Sequence, residues 1–237
     1  MFSSGLRVVL MIATMLAGMN AVAGVTAERT RVVFQGAQRE ASLALVNQNT
    51  YPVMVQAWVD DGELGSSPDT VAPVLPLPPL FRLAPGQQRS LRLLYSGEAL
   101  PADRESMYWL NLYEIPPRPS ELPAEGETRL TITLRTQMKV ILRPEGLAGS
   151  AGDAVRRLKA SSERRGLMMT NPTPYFISLS SVEARQGQVS VVLGADTLAP
   201  FSSKVLVGDR PVETGADVHF FWLDDDGNAQ QATVVVH

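Results

Sequence analysis

Few residues of this chain combine the types and the spacing that enzymatic chemistry requires. The 237 residues include two histidines, His219 and His237, and no cysteine. His219 lies in an apolar, strand-like run, where a structural role is the better interpretation. The consecutive carboxylates Asp60-Asp61 and residues 224–226 lie in turn-like contexts and are expected to face solvent. Neither a metal-ligand spacing nor a phosphate-binding glycine loop is present, so the sequence argues against an enzyme.

The N-terminus has the pattern of a cleavable export signal. Arg7 is followed by an apolar run over residues 8–19 and by Ala21-Val22-Ala23 before Gly24. These are the positive region, the short apolar region and the small-x-small cleavage site of a secretory signal peptide. A membrane anchor is the alternative, but the run is too short to span a bilayer comfortably. We expect cleavage after Ala23, which moves the formal net charge from −3 to −4 because Arg7 is the only charged residue removed.

Residues 24–237 have a composition that suits exported domains without disulfides. Their mildly acidic charge argues against a nucleic-acid role, and the absence of cysteine excludes thiolate metal sites and cysteine nucleophiles. An exported protein without disulfides must gain its stability from a buried core. The length suits one large domain or two domains of about 100 residues each.

Alternating apolar residues predict an all-β fold after the signal. Residues 53–59 show the alternation, and turn signals such as Pro85-Gly86 recur at short intervals. Many short strands with frequent turns are typical of a β-sandwich. Residues 155–165 are the one segment for which we expect a short helix.

A stretch of small residues, 145–153, divides the chain. It is poor in residues that build a core, and a second set of strand patterns follows it. We therefore predict two sandwiches in tandem, an N-terminal domain over residues 24–144 and a C-terminal domain over residues 145–237.

A longer run of residues is more informative than any single side chain. Residues 100–116 read LPADRESMYWLNLYEIP, in which a charged triplet leads into an apolar strand that Pro116-Pro117 ends. The order of residue types resembles, position for position, the signature of the PapD-like periplasmic pilus-assembly chaperones. The resemblance extends through nearly the whole mature chain and thins after Tyr175; its other segments are residues 30–34, 78–86, 138–144 and 171–175.

The resemblance implies both a fold and a function. Members of this family consist of two tandem immunoglobulin-like β-sandwiches in a boomerang arrangement. In the periplasm they bind newly exported pilus subunits by donor-strand complementation and deliver them to an outer-membrane usher. We therefore expect pilus subunits and an usher as partners, but no cofactor, no nucleic acid and no small-molecule substrate. The length of the segment over residues 116–129, together with the absence of cysteine, resembles the short-loop branch of the family.

The strand over residues 130–142 is the one with which the family binds its subunits. On an ideal strand Leu130, Ile132 and Leu134 point to one side, and Met138 continues that face. In an arbitrary protein such a face belongs to the protein's own core. In this family the corresponding strand is an exposed edge whose apolar side chains enter a groove in a subunit that lacks a strand. The resemblance assigns these four residues to that role and leaves open whether the free chain self-associates to cover the edge.

Arg31 and Lys139 match the family residues that hold the subunit's C-terminal carboxylate in the cleft between the domains. Arginine offers such a group a bidentate fork and lysine a point charge, whereas the alternative is two ordinary solvated cations. Lys139 lies five residues after Leu134, so an ideal strand points these two side chains to opposite faces. Either the cleft lies on the other side of the strand, or a bulge separates the two sites.

Glu105, Arg143 and Asp225 match positions that form a charge network between the domains in the family. Such a network would fix the angle between the domains more than it would stabilise them. Asp225 is the middle one of three consecutive aspartates and is chosen by its spacing to the glycine that follows them. A plain acidic turn is the alternative there.

A structural pilus subunit or adhesin of the same secretion system is the alternative from another class. Such proteins resemble incomplete single sandwiches with a donor segment at the mature N-terminus, but here Gly24 leads almost directly into the strand of Arg31. A carbohydrate-binding module would expose aromatic side chains. Trp58, Trp109 and Trp222 instead lie within strand patterns that favour core positions.

Overall fold

The computed structural model describes residues 24–63, 66–117 and 132–237. Within these residues the chain forms two β-sandwiches and one short α-helix, so the predicted all-β fold with two domains is confirmed. The strands of the first sandwich are β1 (Val25–Ala27), β2 (Arg31–Gln35), β3 (Glu40–Asn47), β4 (Val53–Asp60), β5 (Val74–Leu77), β6 (Leu80–Leu83), β7 (Gln88–Tyr95), β8 (Ser106–Ile115) and β9 (Leu134–Arg143). Helix α1 (Ala151–Ala154) precedes the strands of the second sandwich, which are β10 (Lys159–Glu163), β11 (Gly166–Asn171), β12 (Ile177–Gln186), β13 (Val189–Leu193), β14 (Thr197–Leu198), β15 (Ser202–Val207), β16 (Asp217–Leu223) and β17 (Ala229–Val235).

The N-terminal sandwich packs a four-stranded sheet against a five-stranded sheet. The strand order is β1-β3-β7-β5 in the first sheet and β2-β9-β8-β4-β6 in the second. The neighbours pair antiparallel except β2, which runs parallel to β9. Alternate side chains of each strand enter the space between the sheets, where Leu43, Leu45 and Leu110 are fully buried.

The C-terminal sandwich has the same two-layer construction. Its sheets have the strand orders β10-β11-β15 and β13-β12-β16-β17, and β14 also pairs with β12. The core between them contains Leu167, Met169, Ile177 and Phe220, all of which are buried. Each domain therefore buries a core of its own, as a disulfide-free exported protein must.

The prediction of a helix over residues 155–165 was wrong, because β10 occupies much of that segment. A 3-10 turn covers Val155–Arg157, directly after α1. Leu158 and Ala160 are buried while Lys159 between them is exposed, and a strand satisfies this alternation whereas a helix does not. Among the described residues, no helix has the length and apolar character needed to cross a membrane.

A buried asparagine ties together one end of each sandwich. In the first sandwich Asn47 Nδ2 donates to the carbonyl oxygen of Tyr51 at 2.9 Å. In the second, Asn171 Nδ2 donates to the carbonyl oxygens of Tyr175 at 2.7 Å and Ala199 at 2.9 Å. Both asparagines are fully buried, so each one satisfies backbone oxygens that no strand pairing reaches.

Replacing Asn171 by alanine should destabilise the protein by about 2–4 kcal/mol, because the buried carbonyl oxygen of Tyr175 loses its donor and that of Ala199 keeps only the hydroxyl of Ser202. Urea unfolding of the full chain measures the loss, and hydrogen exchange should locate it in the C-terminal sandwich. Gln186→Ala, a change at an exposed side chain, is the control. A loss no larger for Asn171→Ala than for Gln186→Ala would show that water replaces the asparagine.

Candidate functional site

Strand β9 has one hydrogen-bonding edge that is only half covered. On one side it pairs with β8 over residues 134–142. On the other side β2 pairs with it in parallel, but only over residues 139–143. Among the described residues, no strand pairs with residues 134–138 on this second side. We call this segment the free edge; its backbone is available for another strand to join the sheet.

Two of the four side chains predicted to fill a subunit groove stand exposed at or next to the free edge. Ile132 is 65% exposed and Leu134 is 48% exposed. Leu130 lies outside the described residues. Met138 requires a correction, because it is 3% exposed and packs in the core of the N-terminal sandwich. Leu134 is exposed on the same face four residues earlier, whereas Met138 is a core residue and is not available to a partner.

The register of β9 decides between an opposite face and a bulge. The pairing with β8 is regular over residues 134–142, with no shift. Lys139 therefore lies on the face of the strand opposite to Leu134. The apolar side chains and the lysine occupy two sides of one continuous strand.

The parallel pairing of β2 with β9 makes Arg31 the register partner of Lys139. Lys139 Nζ donates to Ser178 Oγ at 2.7 Å and also to Thr197 Oγ1. Arg31 Nη1 donates to the carbonyl oxygen of Leu223 at 3.2 Å. Ser178, Thr197 and Leu223 belong to the C-terminal sandwich, so both cations lie in the cleft between the domains. These three partners were not predicted, because nothing in their local sequence pattern marks them.

We call Arg31 and Lys139 the cation pair. In the part of the chain that the structure describes, neither forms an ion pair with Asp or Glu, and the buried Nε of Arg31 has no hydrogen-bond acceptor. Burial, with a further contribution from Arg31, lowers the pKa of Lys139 to about 8. Burial also lowers the pKa of Arg31, although Asp225 and Asp224 act against it. An anion bound here would favour the charged form of both groups.

Two other cations on the same face of β9 do have carboxylate partners. Arg135 Nη2 lies 3.3 Å from Asp60 Oδ2. Arg143 Nε lies 2.6 Å from Glu105 Oε1. The three basic residues of this face are spaced by four, so they share one row along the strand. Among the described residues, Lys139 in the middle of the row is therefore the one of these three cations that forms no ion pair with a carboxylate.

Asp60 is fully buried, although the sequence analysis expected it to face solvent. Its Oδ2 accepts hydrogen bonds from the Trp58 indole N–H at 3.0 Å and from Asn111 Nδ2 at 2.8 Å. Arg135 Nε in turn donates to Asn111 Oδ1 at 2.9 Å. The expectation was wrong because these donors replace water around the carboxylate, whereas Asp61 is exposed as predicted. The spacing of Trp58 and Asp60, two residues apart on one strand face, was the signal that could have found the network.

The structure brings Glu105, Arg143 and Asp225 into one hydrogen-bonded network across the domain boundary. Arg143 Nε donates to Glu105 at 2.6 Å, and its Nη1 and Nη2 donate to the two carboxylate oxygens of Asp225 at 2.7 and 2.8 Å. The second oxygen of Glu105 accepts the N–H of Phe176 at 2.6 Å. Burial raises the pKa of Glu105, against the lowering effect of Arg143 and of the Phe176 N–H.

Comparison with known proteins identifies the family from both halves of the chain. The model described as "Pili and flagellar-assembly chaperone, PapD N-terminal domain" matches residues 24–148. The model described as "Pili assembly chaperone PapD, C-terminal domain" matches residues 153–234. The chain belongs to the PapD family of pilus-assembly chaperones.

Individual members of the PapD family resemble the chain over most of its length. The probable fimbrial chaperone YadV of Escherichia coli K12 is 31% identical over 218 residues, which cover 89% of each chain. The chaperone protein FimB/FhaD of Bordetella pertussis is 36% identical over 203 residues, which cover 83% of this chain and 81% of the relative. A chain of the solved complex of the Salmonella enterica SafA pilin with the SafB chaperone aligns at a TM-score of 0.75 and 30% identity, over 90% of this chain and 96% of that one.

Membership of the PapD family implies a non-enzymatic role and does not favour the alternative of a structural subunit. The assignment to the short-loop branch depends on a segment of which residues 118–131 lie outside the described residues. That assignment, like the domain boundary after Pro144, stays a prediction.

Replacing Arg143 by methionine should destabilise the chaperone by about 3–5 kcal/mol, because the buried carboxylate of Glu105 would lose its cation. Asp225→Asn is the matched comparison at the other end of the network. Its side chain is 38% exposed, so water screens the pair and the loss should stay under about 1 kcal/mol.

Urea unfolding measures both losses, and small-angle X-ray scattering reports whether the arrangement of the domains changes. Equal losses for the Arg143 and Asp225 variants would contradict the importance of the buried half of the network.

Proposed function

We propose that this chaperone binds newly exported pilus subunits in the periplasm, completes their fold with the free edge of β9 and delivers them to an outer-membrane usher. The observation that carries the proposal is that the uncovered backbone edge of β9 ends beside Arg31 and Lys139, two neighbouring cations that form no ion pair with a carboxylate among the described residues. The complex of the SafB chaperone with the SafA pilin supports a subunit as the partner.

The free edge supplies backbone hydrogen bonds and apolar side chains to the subunit. The N–H and C=O groups of residues 134–138 would extend a subunit's sheet, while Ile132 and Leu134, with Leu130, would fill its groove. Each apolar side chain that becomes fully buried would contribute about 1.5–3 kcal/mol before ordering costs. An exposed apolar edge is an aggregation hazard, and a bound subunit would remove that hazard for both partners.

The cation pair would bind the C-terminal carboxylate of the subunit. A carboxylate would provide the acceptor that Arg31 Nε lacks and an ion-pair partner for the ammonium of Lys139, which has none among the described residues. The hydroxyls of Ser178 and Thr197 already hold Lys139 Nζ in place, so little ordering is needed on binding. A subunit anchored at Lys139 would continue along residues 138 to 134, which sets the register of its last strand against the free edge.

The network of Glu105, Arg143 and Asp225 would fix the angle between the domains and with it the shape of the cleft. Residues 1–23 would direct export and be removed after Ala23. We assign no catalytic residue and no cofactor, because the energy for polymerisation would come from a subunit strand that replaces β9 and fits the groove better.

Replacing Ile132 by serine should weaken subunit binding about tenfold or more, because one buried apolar side chain is lost from the groove. Leu134→Ser should act in the same direction. Ile132 is 65% exposed, so the melting temperature of the free chaperone should not fall. Pull-down of co-expressed subunit and thermal unfolding of the free variants give the two readouts.

Val192→Ser is the matched control for the edge variants, because Val192 is an exposed apolar residue on β13 of the other domain. It should leave the yield of complex unchanged. Equal yields for the Ile132 and Val192 variants would exclude the free edge as the subunit site. A large fall in the melting temperature of Ile132→Ser would assign that side chain to the chaperone's own core.

Binding of the subunit carboxylate should weaken as the pH rises through about 8, the pKa of Lys139 in the free chaperone. A bound carboxylate raises this pKa, so the complex binds more protons than the free protein above that pH, and affinity falls by up to about tenfold per pH unit. Affinity should change little at lower pH, where Lys139 is already protonated. Fluorescence titration with a peptide that carries the last strand of a co-encoded subunit measures this at constant ionic strength.

Three controls isolate the anchor from the rest of the strand. The same peptide with an amidated C-terminus should bind more weakly and lose the pH dependence. Lys139→Ala should behave like the amidated peptide, whereas Lys159→Ala, at an exposed lysine, should behave like the unmodified chaperone. Equal affinity for the free and the amidated peptide would mean that the cation pair does not bind a carboxylate.

A further inference from the structure

Glu114 is a buried carboxylate that the proposed subunit site does not use. It lies on β8 opposite Leu134 and is 6% exposed. Its Oε1 accepts a hydrogen bond from Asn49 Nδ2 at 2.8 Å, and its Oε2 accepts the N–H of Val25 at 2.8 Å. Both donors are neutral, and no cation of the described residues forms an ion pair with it. A buried carboxylate that is ionised but has no cation is costly.

Gly24 lies directly against this carboxylate. A Cβ atom at this position would be 2.5 Å from Glu114 Oε2 and 3.1 Å from Leu134 Cδ1, and the φ of +31° is one that side chains rarely adopt. Position 24 therefore accepts glycine because the backbone itself approaches the carboxylate. The amino nitrogen of Gly24 is bonded to the same Cα as this crowded Cβ position.

A small cavity at this end of the sandwich surrounds the contact. Its volume is about 90 Å³, and Gly24, Val25, Glu114 and Leu134 are among the residues that line it. Each carboxylate oxygen has more than one lone-pair site, so Glu114 can accept a further hydrogen bond beside those from Asn49 and Val25. The site thus has a carboxylate with spare acceptor capacity, and room, beside the Cα that carries the amino nitrogen of Gly24.

We propose that Glu114 binds the α-ammonium group that removal of residues 1–23 creates on Gly24. The inference rests on cleavage after Ala23, which belongs to the proposed function. Hydrolysis of the Ala23–Gly24 peptide bond by a signal peptidase consumes one water; Ala23 leaves with the new carboxylate, and Gly24 keeps the amine, which takes up a proton at neutral pH. Before cleavage the same nitrogen is a neutral amide, so only the processed chain carries the cation that the buried carboxylate lacks.

The ion pair would couple export processing to the stability of the subunit-binding end of β9. Leu134 of the free edge contacts the Gly24 position, so the bound N-terminus closes this end of the sandwich beside the edge. An adjacent carboxylate raises the pKa of an amine. The stabilisation is therefore fully present below the ordinary α-amino pKa of about 7.7–8.0 and is lost as the pH rises through the raised value.

The test compares the mature protein that begins at Gly24 with a version that retains Ala23, each with Glu114 and with Glu114→Gln. Mass spectrometry of the exported protein first establishes the native N-terminus. NMR titration with ¹³C-labelled glycine should give an α-amino pKa about one to three pH units above the ordinary value, and an ordinary value in Glu114→Gln. Retained Ala23 should lower the melting temperature when Glu114 is present and leave it unchanged in Glu114→Gln. Glu63→Gln, at an exposed carboxylate, should leave the α-amino pKa raised.

The possible outcomes separate this inference from the export prediction. A native N-terminus other than Gly24 would overturn both the ion pair and the predicted cleavage after Ala23. A Gly24 N-terminus with an ordinary α-amino pKa, or an equal effect of Ala23 in the presence and absence of Glu114, would overturn the ion pair alone. If Glu114→Gln does not fold, the α-amino pKa of the unmodified protein decides the question by itself.

Discussion

The parallel pairing of β2 with β9 is the constraint on which the rest of the site depends. Its register places Arg31 beside Lys139, so two cations that are far apart in sequence share one position of the cleft. The pairing also begins only at residue 139, which leaves residues 134–138 without a neighbour on that side among the described strands. A β2 strand shifted by two residues toward Leu134 along β9 would separate the cations and cover part of the free edge. One register therefore creates both halves of the proposed binding site.

The charge distribution along β9 distinguishes a binding site from a structural salt bridge. Arg135 and Arg143 stand at the two ends of the row and each meets a buried carboxylate, Asp60 or Glu105. Lys139 between them donates to two hydroxyl groups and lies over the ring of Trp109, and among the described residues no carboxylate forms an ion pair with it. If all three cations served the fold alone, the middle one would be expected to have a carboxylate too, because burying an unpaired cation is costly. The carboxylate of the proposed ligand would supply this negative charge.

The sequence predicted those parts of the structure that depend on local pattern or on family resemblance. Strand alternation indicated the all-β fold, and the run over residues 100–116 indicated the family. Met138 was misplaced because strand alternation gives the face on which a side chain lies but not how far the core of the sandwich extends along that face. Asp60 was misread because Asn111 and Arg135 reach it from β8 and β9, two strands that only the fold brings close to it. Long-range contacts of this kind, including those of Lys139 with the C-terminal sandwich, leave no local signal.

The free edge is held in place from both faces before any subunit arrives. On the cleft face, Arg135 donates to Asn111, which anchors β9 to β8. On the opposite face, Leu134 lies against Gly24 and lines a cavity with Glu114. An extended strand that is already ordered loses little conformational entropy when it joins another sheet. The polar network and the N-terminal contact therefore favour subunit binding although neither is required to touch the subunit.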